Sequence, residues 1–258
     1  LQIPNLWSPM IQPKAERKID GLRLSWMAAK RLAAAFLCLW SVTVWSSVEP
    51  GVKALERGHH STALRAWLPL ARAGDAKAQN NVGLMYERGL GVSQSYPDAM
   101  NWYRQAAEQG LPEANHNLGL LYFSGFGTAV NDREAFRRFR AAAEKELPES
   151  QYMLGLMVYS GRATEANPQI AKGLFEASAI QGYAEAQYML AFVLQSGDLG
   201  TPNPMAAFVW SKIAADQGVE MAGELNYMTT LVLDEAQQAR AAQLTERCRA
   251  SNYADCPK

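Results

Sequence analysis

A 36-residue internal repeat constrains the fold of this chain more than any other feature of its 258 residues. Residues 76–111 read AKAQNNVGLMYERGLGVSQSYPDAMNWYRQAAEQGL, and residues 112–147, PEANHNLGLLYFSGFGTAVNDREAFRRFRAAAEKEL, are identical to them at 13 positions without a gap. Residues 148–183 and 184–219 keep the same spacing. A fixed period of this length is typical of stacked repeats, in which one unit cannot bury its apolar face alone. The sequence therefore predicts four stacked copies of one supersecondary unit.

Recurring glycines divide each unit into two helices. One glycine column follows a helix-length segment in every unit, where a left-handed residue commonly ends a helix. Its members are Gly89, Gly125, Gly161 and Gly197. Asn167 and Asn203 each precede a proline, which is the order of an N-cap and a first helical residue. The first unit is thus predicted to contain helices at roughly 77–88 and 97–109, and the chain to be all-α.

Small residues at fixed positions predict close packing between these helices, because small side chains let helix axes approach one another. The first-helix column is Gly83, Gly119, Gly155 and Ala191, and the second-helix column is Ala99, Ala135, Ala171 and Ala207.

The loops of the first two units carry a second glycine, at Gly91 and Gly127. Ala163 and Leu199 replace it in the next two units, which predicts looser loops there.

Weaker versions of the pattern flank the four units. Residues 63–74, ALRAWLPLARAG, align one period before a second helix, so residues 49–75 are predicted to be a partial, degenerate unit. Beyond residue 219 the pattern fades, and Asp234 with Gln237 has the spacing of a helix start. Since a terminal repeat needs a cap with a polar outer face, residues 220–258 are predicted to form capping helices and a tail.

The first fifty residues have a different composition. Residues 32–48, LAAAFLCLWSVTVWSSV, carry no charge and follow a Lys-Arg pair. This basic-then-apolar order is typical of a signal peptide, and the length is at the lower limit for a spanning helix. Residues 27–48 are therefore predicted to be a signal peptide or signal anchor, with a buried N-terminal helix as the alternative. We expect an exported protein, periplasmic or anchored in the inner membrane of a bacterial cell envelope, with residues 1–26 a non-native or disordered extension.

Charge and motif content exclude several classes of function. Lys plus Arg number 25 and Asp plus Glu 25, so a net charge of zero gives no general attraction to nucleic acid. Three histidines and three cysteines leave little for metal binding, and none of them pairs within the repeats. The sequence lacks G-x-S-x-G, H-E-x-x-H and Walker motifs. We expect no cofactor, no metal site, no catalytic residue and no enzymatic activity.

Cys248 and Cys256 are the one cysteine pair with disulfide spacing. They lie eight residues apart, at the end of the last predicted helix and in the tail. In an exported protein they are predicted to form a disulfide that holds the tail to the cap. In a cytosolic protein they would instead be two free thiols.

The repeated columns resemble a known family. The pattern AEAQ-x-x-LG-x-x-Y-x-x-G-x-G, followed by A-x-x-W-Y-x-x-AAEQG, is similar to that of Sel-one-like repeats (SLR), which are relatives of the tetratricopeptide repeat. The similarity covers residues 76–219 as four full units. It implies a right-handed αα-superhelix (a solenoid) and a non-catalytic scaffold or adaptor for protein–protein interaction.

In superhelical repeats of this type the first helices line the concave side, where a protein or peptide partner would bind. Two positions seven residues apart on each first helix face the same way. These eight candidate partner-binding residues are Asn80, Glu87, His116, Phe123, Tyr152, Tyr159, Tyr188 and Gln195. The second member of each pair varies between units, as a recognition surface would. The alternative is that Tyr152 and Tyr188 only pack.

The sequence leaves three functions open. The first is an interaction scaffold in the cell envelope, which contacts a membrane only through an uncleaved hydrophobic segment. The second is an envelope enzyme or a cell-wall-binding protein. The third is a regulator of a membrane signalling or polysaccharide-export assembly.

Overall fold

The computed structural model describes residues 48–257, which form twelve α helices and no strand. The helices are α1 (Glu49–Glu56), α2 (His60–Arg72), α3 (Ala76–Arg88), α4 (Tyr96–Glu108), α5 (Pro112–Ser124), α6 (Asp132–Ala143), α7 (Pro148–Ser160), α8 (Pro168–Ala179), α9 (Ala184–Ser196), α10 (Pro204–Asp216), α11 (Glu220–Val232) and α12 (Glu235–Ala250). Each helix from α1 to α10 packs against the next one in sequence, and α12 packs against α10. The fold is an all-α solenoid of helix pairs, as predicted.

The helix ends follow the chemistry read from the sequence. α3 and α4 begin and end within one residue of the predicted bounds. The four C-capping glycines have φ values between 67° and 84°, in the left-handed region. Asn131, Asn167 and Asn203 each accept a hydrogen bond from the backbone N–H three residues further on. These caps satisfy backbone groups that a helix end leaves without partners.

An aromatic ring in each of the first three units packs directly on a glycine. A Cβ atom added to Gly83, Gly119 or Gly155 would lie 2.6–2.8 Å from the ring of Tyr103, Phe139 or Phe175, respectively. Each ring is fully buried on the second helix of its own unit. In the fourth unit the same two positions hold Ala191 and Ser211. The glycine column therefore accommodates a ring, and it changes where the ring is absent.

A glutamine pair links three consecutive helices at two unit boundaries. Gln79 in α3 donates to the carbonyl oxygen of Ala71 at 3.1 Å, and Gln109, which follows α4, donates to Gln79 at 2.7 Å. Gln187 and Gln217 repeat both bonds three boundaries later, at 3.1 and 2.6 Å. Because Gln79 and Gln187 are buried, these bonds stabilise the stacking of one unit on the next.

The C-terminal end of the solenoid differs from a fully polar cap. α12 is capped by Asp234 and Gln237 through a complete capping box, and its outer positions are polar. It packs on α10, however, so α11 keeps an exposed apolar face. Five large apolar residues of α11 are more than half exposed: Met221, Tyr227, Met228, Leu231 and Val232.

The loop of the third unit is not loosened as the sequence suggested. Ala163 has a φ of 64°, close to the 70° and 73° of Gly91 and Gly127, so the loop keeps the left-handed conformation without a glycine. In the fourth unit Leu199 does not take this conformation, and Gly200 has a φ of 105° instead. The missing glycine thus strains one loop and reshapes the other.

We expect Ala163→Gly to raise the free energy of unfolding by about 0.5–1 kcal/mol, because glycine adopts a positive φ without the clash of a Cβ atom. Urea denaturation followed by circular dichroism measures the change. Ala129→Gly is the matched control, since Ala129 lies in the corresponding loop of the second unit without a positive φ. A stabilisation of equal size in both variants would contradict the assignment of strain to Ala163.

The predicted extension (1–26) and nearly all of the predicted signal segment (27–48) lie outside the described residues. Their boundaries and the question of cleavage stay predictions. Within residues 48–257, no helix is long and apolar enough to span a bilayer.

Candidate partner-binding surface on the first helices

The structure places the eight predicted residues on α3, α5, α7 and α9, two on each helix, and all eight are partly exposed. They form two rows. The amino-terminal row is Asn80, His116, Tyr152 and Tyr188, and the carboxyl-terminal row is Glu87, Phe123, Tyr159 and Gln195. Neighbouring first helices are joined where Asn117 donates to Asn80 at 3.0 Å. Whether these rows bind a partner stays a prediction.

Two members of the carboxyl-terminal row contact the loop of the following unit. The guanidinium of Arg162 lies 3.9 Å from the ring centroid of Phe123 and also pairs with Asp132. The hydroxyl of Tyr159 donates to Asp198 at 2.5 Å. Arg162 and Asp198 occupy the same position in consecutive units, directly after the helix-ending glycine. The loop between the two helices of each following unit therefore orients a partly exposed aromatic side chain of the unit before it.

Sequence reasoning missed Arg162 and Asp198 as neighbours of this surface. Their position varies between units, from Leu90 and Phe126 to Arg162 and Asp198. A position that changes from apolar to charged beside a constant glycine is a signal that the sequence does contain. Recognising the contact also needs the stacking geometry of the units, which the repeat pattern does not specify.

These contacts and the burial of the side chains shift the pKa values of the tyrosines and of the aspartate. Burial and then the hydrogen bond to Asp198 raise the pKa of Tyr159 to about 12. Hydrogen bonds from Tyr159 and then Ser196 lower the pKa of Asp198. At the first unit, Tyr103 donates to the Glu87 carboxylate at 2.6 Å. Burial and then this hydrogen bond raise the pKa of Tyr103 well above its usual range. At neutral pH both tyrosines are therefore neutral donors to a carboxylate.

The amino-terminal row packs partly on the core. His116 Nδ1 and Ser150 Oγ lie 2.8 Å apart in a hydrogen bond, and the His116 ring is 5.6 Å from that of Phe139. The Tyr152 ring lies 6.2 Å from that of Phe175. Tyr188 contacts Phe192 of its own helix, with ring centroids 6.4 Å apart. These side chains pack, and each keeps a solvent-exposed part.

We expect protein stability to fall as the pH drops below about 6.5, in part through His116. Burial lowers the pKa of His116 from its ordinary value of 6.5, while the charge of Glu149 opposes the shift. The unfolded chain therefore binds the proton more readily than the folded one, and acid favours unfolding. Urea denaturation at about pH 7.5 and about pH 5.5 measures the effect.

His116→Asn is the informative variant for this pH dependence, because Asn80 occupies the same position one unit earlier. The variant should have a smaller pH dependence of unfolding than the wild type. An unchanged pH dependence would contradict the role given to His116.

The tail lies against the last two described units. The Cα atoms of Cys248 and Cys256 are 4.6 Å apart and their sulfur atoms are in contact, which is compatible with a disulfide. Trp210 Nε1 donates to the carbonyl oxygen of Pro257 at 2.9 Å, and the Tyr253 ring lies 6.4 Å from that of Trp210. The oxidation state of the cysteines stays a prediction.

Other concave or titratable features do not coincide with the two rows. A groove of about 440 Å³ lies between α10 and α12, and one of about 250 Å³ lies beside the tail at Tyr253. Within residues 48–257, no three His, Cys, Asp or Glu side chains are close enough to hold a metal ion.

The repeated part of the chain matches the sequence model of a known family. A sequence model of the Sel1 repeat aligns with residues 76–111, 112–147, 148–183 and 184–219, the four units read from the periodicity. The chain belongs to the Sel1 repeat family. Sel1 repeat proteins generally act in protein–protein interaction, and their fold is typically a non-catalytic scaffold.

Solved Sel1 repeat structures are similar to this chain. A Sel1 repeat protein from Oxalobacter formigenes aligns with a TM-score of 0.62 at 27% identity, over 68% of this chain and 72% of that one. A Klebsiella pneumoniae putative Sel1 repeat protein gives 0.49 at 20% identity, over 71% and 91%. A protective antigen of uropathogenic Escherichia coli with an SLR fold gives 0.47 at 20%, over 88% and 65%. No curated protein sequence matches the chain.

Proposed function

We propose that this Sel1 repeat protein is a non-catalytic adaptor that binds a protein or peptide partner along the two rows of its first helices. The observation that carries the proposal is the pattern of variation. The carboxyl-terminal row reads Glu87, Phe123, Tyr159 and Gln195, while the packing glycines and alanines of the same helices recur. A surface that changes on a constant frame suits recognition rather than folding.

The contacts within the carboxyl-terminal row support this proposal. Phe123 is held between Arg162 and Phe139, whose ring centroid is 6.3 Å away, and Tyr159 between Asp198 and Phe192, at 6.2 Å. Both aromatic side chains are partly exposed. An aromatic side chain that is already held in one orientation loses little conformational entropy on binding, and aromatic residues are common anchors of interfaces.

The location that we propose is the cell envelope, with export directed by residues 27–48. The uncharged segment after a basic pair supports export, and the spacing of Cys248 and Cys256 suits an oxidising compartment. Contact with a membrane would then involve only the N-terminal segment, if it is not cleaved.

Affinity purification from envelope fractions tests the adaptor proposal. Wild-type bait is compared with a bait carrying Phe123→Ala and Tyr159→Ala, and the expected result is loss of at least one partner from the variant. The matched control carries Phe126→Ala and Tyr227→Ala, which remove the same side-chain types from exposed positions outside the rows. The control should recover the partners of the wild type.

A second variant separates binding from folding. Tyr159→Phe keeps the ring and removes the hydrogen bond to Asp198, so the fold is retained while the anchor is less constrained. We expect weaker partner recovery than with wild type and unchanged thermal unfolding. Equal recovery of every partner by all four baits would overturn the proposal.

A further inference from the structure

Two tyrosines form an exposed aromatic corner between the third and fourth units. The ring of Tyr152 in α7 lies 5.3 Å from that of Tyr183, which precedes α9, with their planes inclined at 54°. Both rings are partly exposed. Leu111 and Leu147 occupy the position of Tyr183 in the preceding units. The repeat frame therefore does not require a tyrosine at residue 183, so a hydroxyl-bearing ring at this position needs another explanation.

Two carboxylates flank this corner. Glu149 and Glu185 lie in the first turns of α7 and α9, where the helix dipole favours negative charge. Burial, followed by the charges of Glu185, Tyr152 and Glu149, raises the pKa of Tyr183 to about 12. The pKa of Tyr152 is raised by burial and then by Glu185. Glu185 is therefore electrostatically coupled to both tyrosine hydroxyls, and Glu149 to that of Tyr183.

The carboxylates have no cationic partner among the described residues. Neither Glu149 nor Glu185 forms an ion pair with any Lys, Arg or His of residues 48–257. The Oε2 atom of Glu149 is also buried and accepts no hydrogen bond. A buried carboxylate oxygen without a donor is unfavourable. The helix dipole explains a carboxylate at this position but leaves that oxygen unpaired.

We infer that Tyr152, Tyr183, Glu149 and Glu185 form a binding site for a positively charged side chain, a lysine or arginine of the partner. A cation over a tyrosine face is attracted by the ring quadrupole, and the two carboxylates supply the opposite charge. The inference rests on the proposed adaptor function and names the chemistry of one recognised residue. Of these four residues, the sequence had singled out only Tyr152.

Titration of the isotope-labelled full chain with three short peptides tests the site. The probes are acetyl-Gly-Lys-Gly-amide, acetyl-Gly-Arg-Gly-amide and, as a neutral comparison, acetyl-Gly-Gln-Gly-amide. Proton–nitrogen correlation spectra report weak binding residue by residue. We expect the Lys and Arg peptides, but not the Gln peptide, to shift the amide signals around Tyr152 and Tyr183. The shifts should shrink as salt is added, because exposed charges are screened.

Variants assign the binding to these residues. The double variant Glu149→Gln, Glu185→Gln should bind the Lys peptide with an affinity lower by at least about threefold. This is the effect expected from the loss of one exposed cation–π or ion-pair contact. Tyr183→Leu should do the same and retain the fold, since leucine occupies this position in two other units. The matched control is Glu113→Gln, at the position of Glu149 one unit earlier, where His116 and Leu147 replace the two tyrosines. It should leave the affinity unchanged.

The outcomes separate this inference from the adaptor proposal. Equal shifts with the Gln peptide would show binding that does not depend on the positive charge, and equal weakening by Glu113→Gln would show diffuse electrostatic attraction. Either result would overturn the site. If partner capture still depends on Phe123 and Tyr159, the adaptor function then stands without it. Selective Lys or Arg binding that all variants retain would place the cation elsewhere and also overturn it.

Discussion

Gly155→Ala should lower the free energy of unfolding by about 2–3 kcal/mol, because the added methyl group would lie 2.6 Å from the ring of Phe175. The ring has little room to withdraw, since Phe175 is fully buried and its centroid lies 6.2 Å from that of the Tyr152 ring. Gly155 and Phe175 lie on the two helices of one unit. The clash would therefore separate α7 from α8 and weaken the unit as a whole.

The fourth unit indicates which second change should compensate. There Ala191 replaces the glycine and Ser211 replaces the ring, and the Ser211 hydroxyl accepts from Asn226 at 3.1 Å. Leu190 stands one period before Asn226, so a serine at residue 175 would lack that partner. Phe175→Ala is the cleaner change. Alone it should cost about 3–5 kcal/mol, and combined with Gly155→Ala about 1–2 kcal/mol less than the sum of the two.

Gly173→Ala is the matched control in the same unit. Gly173 is an exposed residue in α8 with no heavy atom within 4 Å of an added Cβ, so alanine should stabilise the helix by about 1 kcal/mol. Urea denaturation followed by circular dichroism measures the wild type and the four variants. The same glycine-to-alanine change is expected to have opposite signs at residues 155 and 173. Equal signs, or additive costs in the double variant, would contradict the ring-on-glycine packing.

The solenoid fold was predictable because the same local signals recur in phase. Gly89 and its three counterparts mark one helix end each, and the asparagine N-caps mark the starts. The glutamine pairs could also have been found from sequence, because Gln109 follows Gln79 by 30 residues and Gln217 follows Gln187 by the same interval. Agreement between repeated units made each of these signals stronger than it would be alone.

The side-chain surroundings of the candidate sites were not predictable in the same way. Phe123 meets Arg162 and Tyr159 meets Asp198 across a unit boundary, and this depends on how far each unit rotates relative to the last. Tyr183 was missed because it replaces a leucine in a column that elsewhere only packs. Such departures from the repeat have no periodic signal, although they mark the positions where the units differ chemically.

Cys256→Ser should lower the free energy of unfolding of the oxidised protein by about 2–3 kcal/mol, if Cys248 and Cys256 form a disulfide. The bridge would close a short loop over the end of α12 and limit the freedom of the unfolded tail. It would also keep Tyr253 and the Pro257 carbonyl against Trp210. Cys256 is the better residue to replace, because Cys248 is fully buried and a serine there would add an unrelated cost.

A reductant distinguishes the bridge from ordinary packing of the tail. Dithiothreitol should lower the stability of the wild type to that of Cys256→Ser and leave the variant unchanged. Tryptophan fluorescence should change in parallel, since Trp210 loses the ordered tail. Mass spectrometry of alkylated, non-reduced protein from envelope fractions should find both cysteines protected. Two freely alkylated thiols would overturn the bridge and remove the support that it gives to an oxidising compartment, so that the proposal of export would rest on residues 27–48 alone.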